Sequence, residues 1–164
     1  MADLEDFFRT ASAKVPHFGS GEVASILELP PWKLHRILTR YQLTSAGQLG
    51  QGRGSRRWFT TEDIYRIATA LFLIKDGFGS KIVSSIVQTL EDSEFYGGHD
   101  EHGAFSQLGV LLRRTKEGPQ VRTFRSDAPP ELRIEGPAYY ALRLDQITRT
   151  IDRRIREIKQ QRSA

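Results

Sequence analysis

The sequence predicts a mainly α protein: a winged helix-turn-helix domain with a small C-terminal β region and a terminal dimerisation helix. Three observations predict it. From Leu29 to Thr61 the chain runs without one Asp or Glu, yet carries Lys33, Arg36, Arg40, Arg53, Arg56 and Arg57 among Trp32, Tyr41, Trp58 and Phe59. Within that window an amphipathic helical stretch is followed by a Gly-rich basic loop and an aromatic pair able to anchor the loop to a core. Near the other end, Leu144 to Gln161 shows the apolar spacing of a coiled-coil seam.

A chain of 164 residues accommodates one domain with a substantial core, or a small domain plus an accessory region. No apolar run approaches the roughly 20 residues needed to span a bilayer, so no membrane partner is expected. Met1 to Thr10 opens acidic, the wrong sign for a secretory signal. Cysteine is absent, which excludes a disulfide framework, a thiolate metal site and a cysteine nucleophile. The expected location is cytoplasmic, nucleoid-associated if the source is bacterial.

The net charge of +4 is a mild excess of 24 basic over 20 acidic residues, and its distribution says more than its sum. Up to Asp92 the chain holds 11 Lys or Arg against 10 Asp or Glu, and six of those 11 cations lie in the acid-free window. A nearly neutral unit can in this way carry one positive surface.

Residues 1–17 read as an N-terminal extension and residues 18–92 as the helix-turn-helix domain. Ser20 is a candidate N-cap ahead of Glu22, with Val23, Ile26 and Leu27 at helical spacing. Leu29, Pro30 and Pro31 mark a turn, since proline forces its predecessor to extended geometry and suits a helix's first turn. A second helix follows with Leu34, Ile37, Leu38 and Tyr41 inward and Lys33, Arg36 and Arg40 opposite, His35 and Thr39 beside them. Gly47 to Gly54 forms the loop, Trp58 and Phe59 restore apolarity, and Thr60 or Thr61 caps a third helix with Glu62 and Asp63 in its first turn. Ile64, Ile67, Ala68, Leu71, Phe72 and Ile74 make its buried stripe. Asp76 to Gly79 breaks it, and Ser80 caps a fourth helix carrying Ile82, Val83, Ile86, Val87 and Leu90.

Residues 93–106 read as a linker and residues 107–141 as a small β region. Leu108, Val110 and Leu112 alternate with other neighbours, Val121 to Phe124 follows, Glu117-Gly118-Pro119 joins them, and Leu132 and Ile134 could add another strand. Residues 142–164 form the terminal helix. Leu144, Thr148, Ile151, Ile155 and Ile158 alternate steps of four and three, with Ile147 beside them. A seam of only about two and a half heptads is marginal alone in water. At about 1.5 to 3 kcal/mol per buried side chain it needs a cover, either a second protomer or the chain's own domain. Homodimerisation through Leu144, Ile147, Ile151, Ile155 and Ile158 is the preferred reading.

The order Gly21-Glu22-Val23-Ala24, then Leu34 in a second helix, then the run from Gly52 to Ile64 and Asp76-Gly77-Phe78, resembles the winged helix-turn-helix of MerR-family transcription regulators over about residues 18 to 92. The resemblance implies a second helix that reads the major groove, a basic wing on the DNA backbone and a later helix that pairs two protomers. By position it puts Lys33, His35, Arg36 and Arg40 on the reading helix and Arg53, Arg56 and Arg57 on the wing. Its implied partners are double-stranded DNA, a second copy of the chain and RNA polymerase.

The bland alternatives are specific too. The acid-free window can be a solvated basic face over ordinary core aromatics. His99-Asp100-Glu101-His102 has metal-ligand donors, but glycines flank it and no helical pattern runs through it, so it reads as a solvated linker and no metal is expected. No Walker loop, nucleophile elbow, His-Glu-x-x-His or dinucleotide fingerprint occurs, so neither catalysis nor a cofactor is expected. The expected function is a sequence-specific DNA-binding transcription regulator acting as a dimer. The rivals are an excisionase-like or architectural accessory factor, and a protein-interaction module that retains the fold.

Overall fold

The computed structural model describes residues 18–43, 47–49, 56–92, 95, 107–115, 118–126 and 142–163, and they form a mainly helical protein. In chain order the elements are β1 (Phe18–Gly19), α1 (Ser20–Ile26), α2 (Pro31–Arg40), β2 (Gly47–Leu49), β3 (Arg56–Phe59), α3 (Thr61–Lys75), α4 (Ser80–Thr89), β4 (Gln107–Thr115), β5 (Gly118–Ser126) and α5 (Leu144–Ser163). A three-stranded antiparallel sheet has the order β1-β3-β2, and β4 and β5 form a separate antiparallel pair.

The helix ends follow from local chemistry. The α1 cap is Gly19 rather than Ser20, because β1 holds Gly19 extended and its N–H donates to the Glu22 carboxylate at 2.8 Å. Thr60 caps α3 reciprocally: its Oγ1 accepts from the Asp63 N–H at 3.1 Å and its own N–H donates to Asp63 Oδ2 at 2.9 Å. Gly79, not Ser80, precedes α4 as its cap.

Three helices stop in the same manner, with a left-handed residue after the C-cap and an amide of the next residue bonded back five positions. Glu28 (φ 54°) ends α1, with Leu29 N–H to Ala24 O at 2.8 Å. Gln42 (φ 53°) ends α2, with Leu43 N–H to Leu38 O at 3.0 Å, and Gly77 (φ 88°) ends α3, with Phe78 N–H to Leu73 O at 3.0 Å. Pro30 and Pro31 then start α2, where a missing N–H costs nothing.

Core burial follows the α2 pattern closely and departs from it in α3. Leu34, Ile37, Leu38 and Tyr41 are all buried. In α3 the buried set is Glu62, Ile64, Tyr65, Ile67, Ala68, Thr69, Ala70 and Leu73, whereas Leu71 and Ile74 are half-buried and Phe72 is 43% exposed. The expected stripe was too narrow on one side because α3 is packed from several directions, by β3, α4 and α5.

The terminal helix changes the domain picture. A single hydrophobic cluster runs from Phe18 through α1 to α4 and includes Leu142, Leu144, Ile151 and Ile155. Tyr65 on α3 donates its hydroxyl to the Asp152 carboxylate on α5. Thus Leu144, Thr148, Ile151 and Ile155, expected to face a second protomer, are covered by their own chain, while Ile147 and Ile158 are half-buried against the same cluster. The physical reason is that α1 and α3 present apolar surface that the same stripe can cover without a second molecule.

The expected β region appears as two strands of nine residues each, longer than the alternation alone suggested, paired from Gln107↔Ser126 to Thr115↔Gly118. Leu132 and Ile134, the His99 to His102 segment and most of the expected linker lie outside the described residues. Among the described residues, no helix is long and apolar enough to cross a membrane.

Candidate nucleic-acid interface

The outward face of α2 is built by its inward one. With Leu34, Ile37 and Leu38 fixed in the core, helical geometry leaves Lys33, His35, Arg36 and Arg40 on the surface, and all four are exposed. Lys33 and Arg36 have no carboxylate partner among the described residues. The Arg40 guanidinium lies 5.9 Å from the centre of the Tyr41 ring, a contact that leaves its N–H donors available. Thr39 is spent locally, its Oγ1 donating to the His35 carbonyl at 3.0 Å. Trp32, in the first turn, is 64% exposed.

The expected wing has its base in the three-stranded sheet. β2 and β3 pair antiparallel with Gly47↔Trp58, Gln48↔Arg57 and Leu49↔Arg56. β3 is held from behind by Phe59, fully buried, and by its packing on α1 and α3. Trp58 is half-buried, and its indole N–H is enclosed without an acceptor among the described residues. Arg57 is partly exposed on this base, and the backbone of Arg56 belongs to the strand. Arg53 and the glycines around it lie outside the described residues.

A groove of about 1140 Å³ runs between the basic face of α2, the outer side of α3 and the first half of α5. Its floor is apolar, with Leu71, Phe72, Ile74, Ile147 and Ile151, and Trp32 stands at its edge. Lys33, Arg36 and Arg40 line it from α2, Lys75 from α3, and Arg143 and Arg154 from the C-terminal part. Arg143 is paired with Asp145 through bonds of 3.3 and 2.9 Å, and this hydrogen bonding, then the charge of Asp145, raises its pKa above the ordinary arginine value.

Sequence reasoning placed the α2 cations on one face but missed that α5 walls the same surface. No sequence signal says which helix an apolar stripe will cover, so Phe72, Gln146 and Ile147 gave no hint of sharing a groove with Arg36. Among the described residues, no cluster of three or more His, Asp or Glu is placed to hold a metal ion. No family model and no curated protein matches the chain.

Proposed function

We propose that this protein binds double-stranded DNA as a transcription regulator of MerR-like type, inserting α2 into the major groove with the β2-β3 hairpin on the flanking backbone. One observation carries the reading: α2 is anchored by Leu34, Ile37 and Leu38, with Tyr41 buried at its C-cap, while Lys33, Arg36 and Arg40 face solvent together and His35 is exposed on the other flank of the helix. A short helix so held, following α1 after a tight turn, supports the reading of α2 as the groove-entering helix of a winged helix-turn-helix. Arg53, Arg56 and Arg57 are the proposed backbone contacts of the wing.

The proposal includes two copies on half-sites about one helical turn apart, near 34 Å, with RNA polymerase as a further partner and a cytoplasmic, nucleoid-associated location. Because α5 spends Leu144, Ile151 and Ile155 within one chain, pairing rests on surfaces other than that inner seam. Ultracentrifugation with and without a defined site reads the stoichiometry directly.

Electrophoretic mobility shift with random and genomic DNA tests the proposal. Binding is expected to weaken by roughly 0.9 log units per log unit of salt for each phosphate neutralised. An Arg36/Arg40/Arg56/Arg57→Ala variant is expected to lose it. Absence of any shift at low salt for the unaltered chain would favour the interaction-module reading, which the exposed Trp32 and Phe72 beside an apolar groove support. Excisionase-like accessory factors share the reading head, and a footprint at promoters rather than at recombination sites separates the two.

A further inference from the structure

We propose that the groove between α2, α3 and α5 docks an acidic amphipathic helix of another protein, seated by its apolar ridge on the floor and by its carboxylates along the α2 edge. Among the described residues the two large apolar side chains left exposed are Trp32, at 64%, and Phe72, at 43%, and both line this groove. The half-buried Leu71, Ile74 and Ile147 line it with them, so the exposed apolar surface is gathered in one place. Trp, Phe and Arg are the residue types enriched where protein partners meet.

The charge around the groove is mostly of one sign. Lys33, Arg36, Arg40, Lys75, Arg143 and Arg154 line it against Glu28 and Asp76. Asp145 engages Arg143 and Glu28 engages Arg154, which leaves Lys33, Arg36, Arg40 and Lys75 as its positive edge. The walls set a length: lining positions run from Trp32 to Arg40 on α2 and from Gln146 to Arg154 on α5. Each run is about 12 Å at the helical rise, and a partner helix with apolar anchors at i, i+4 and i+7 spans about 11 Å.

Other occupants fit these features less well. A small apolar ligand is enclosed over about 70 to 90% of its surface in its pocket, whereas Trp32 and Phe72 stand open to water. A second copy of this chain seated by the same face would bring four more cations to the same edge. A single nucleic-acid strand would satisfy the cations, but its polar base edges would lie on the aliphatic Leu71, Ile74, Ile147 and Ile151. An acidic amphipathic helix meets floor and edge together.

Docking stands on the groove alone; its consequence for DNA rests on the function proposed above. Lys33, Arg36 and Arg40 serve both partners, so a bound helix and a bound duplex exclude one another.

Trp32 reports on docking in the full chain once Trp58→Phe removes the other indole. The probe is a synthetic peptide of about fourteen residues, cross-linked between turns so that it is helical before binding, with Leu at i, i+4 and i+7 and Glu on the flanks. Its counterpart carries Lys in place of every Glu. The expected result is a shift of Trp32 emission to shorter wavelength on adding the Glu peptide, with affinity at least about tenfold weaker for the Lys peptide and for Phe72→Ala. Arg36→Ala/Lys75→Ala is expected to weaken binding and flatten its salt dependence. No shift with the Glu peptide, equal affinity for the two peptides, or unchanged affinity in Phe72→Ala would overturn the proposal. So would a shift that grows with chain concentration before any peptide is added, since the occupant would then be a second copy. An oligothymidylate strand that moves Trp32 emission at lower concentration than the Glu peptide would assign the groove to nucleic acid instead. Displacement of labelled duplex DNA by the Glu peptide reads the exclusion, and duplex retained at saturating peptide would refute it. If the chain binds the peptide and no DNA, the function proposed above fails while the docking stands.

Discussion

Arg154 on α5 donates to the Glu28 carboxylate at 2.7 Å and to the Ile26 carbonyl at 3.2 Å, tying the last helix to the turn that sets the angle between α1 and α2. The two residues are 126 positions apart. Glu28 is 70% exposed at its side chain, so the ion pair is screened and contributes about 0.2 to 1 kcal/mol. The bond to the carbonyl, at an end where helix acceptors go unpaired, adds about 0.5 to 1.5 kcal/mol. Arg154→Met, which keeps the aliphatic stem, is expected to lower stability by about 1 to 2 kcal/mol in urea unfolding. An unchanged midpoint would show that the turn does not depend on α5.

Gln42 is a second probe of helix ends. Its φ of 53° is a left-handed conformation that costs a residue with a Cβ about 1 kcal/mol relative to glycine. Gln42→Gly is expected to raise the melting temperature by roughly 2 to 4 °C in a chain of this size. Glu28 is the poorer choice for this experiment, because glycine there would also delete the bond to Arg154.

Thr60→Ala removes one side of the reciprocal cap of α3 and strands the Asp63 N–H. The expected loss is about 1 kcal/mol. Thr60→Ser keeps the oxygen and is expected to lose less than half as much, a comparison that separates capping from the packing of the Thr60 methyl.

Ile151→Ala tests whether α5 belongs to the same cooperative unit as α1 to α4. Ile151 is 2% exposed within the shared cluster, so truncation is expected to cost about 2 to 5 kcal/mol. The loss should appear in the global unfolding of α1 to α4 as well as α5, by amide exchange at Leu34 and Ile67. Fraying of α5 alone, with α2 amides unaffected, would mean separate units.

Arg36→Ala and Arg40→Ala remove exposed charges and are expected to leave thermal stability nearly unchanged. Each contact to a phosphate should lower the salt slope of DNA binding by about 0.9, whereas a contact to a base edge should instead relax sequence preference at one position. The pair of measurements assigns Arg36 and Arg40 to one role or the other.

Sequence pattern made α2 fully legible because its period is strict and its faces differ sharply in polarity: the four residues read as inward are the four that are buried. The cap of α3 was legible only as Thr60 or Thr61, and the reciprocal bonds with Asp63 decide for Thr60. Ser20 and Ser80 misled as caps, since each is preceded by a glycine whose extended backbone serves the same end. Phe72 misled because periodicity locates an apolar face without measuring how far around the helix its neighbours extend. The largest shift concerns Leu144, Ile151 and Ile155. Their spacing declared a surface that must be covered, and spacing carries no address for the cover. Of the candidate DNA contacts, Lys33, Arg36 and Arg40 are brought together on one exposed face of α2, His35 is exposed on its other flank and Arg57 sits on the hairpin base, while Arg53 lies outside the described residues.

Closing one core with Phe18 at one end and Ile155 at the other has a consequence for synthesis. At about 5 to 20 residues per second, a ribosome releases the basic helix on the order of ten seconds before the last core side chains emerge. A message cut short between Arg57 and Leu144 therefore encodes every cation of the basic window without the residues that finish its support. Such a product is expected to be cleared as an unfolded chain rather than to persist as a folded fragment.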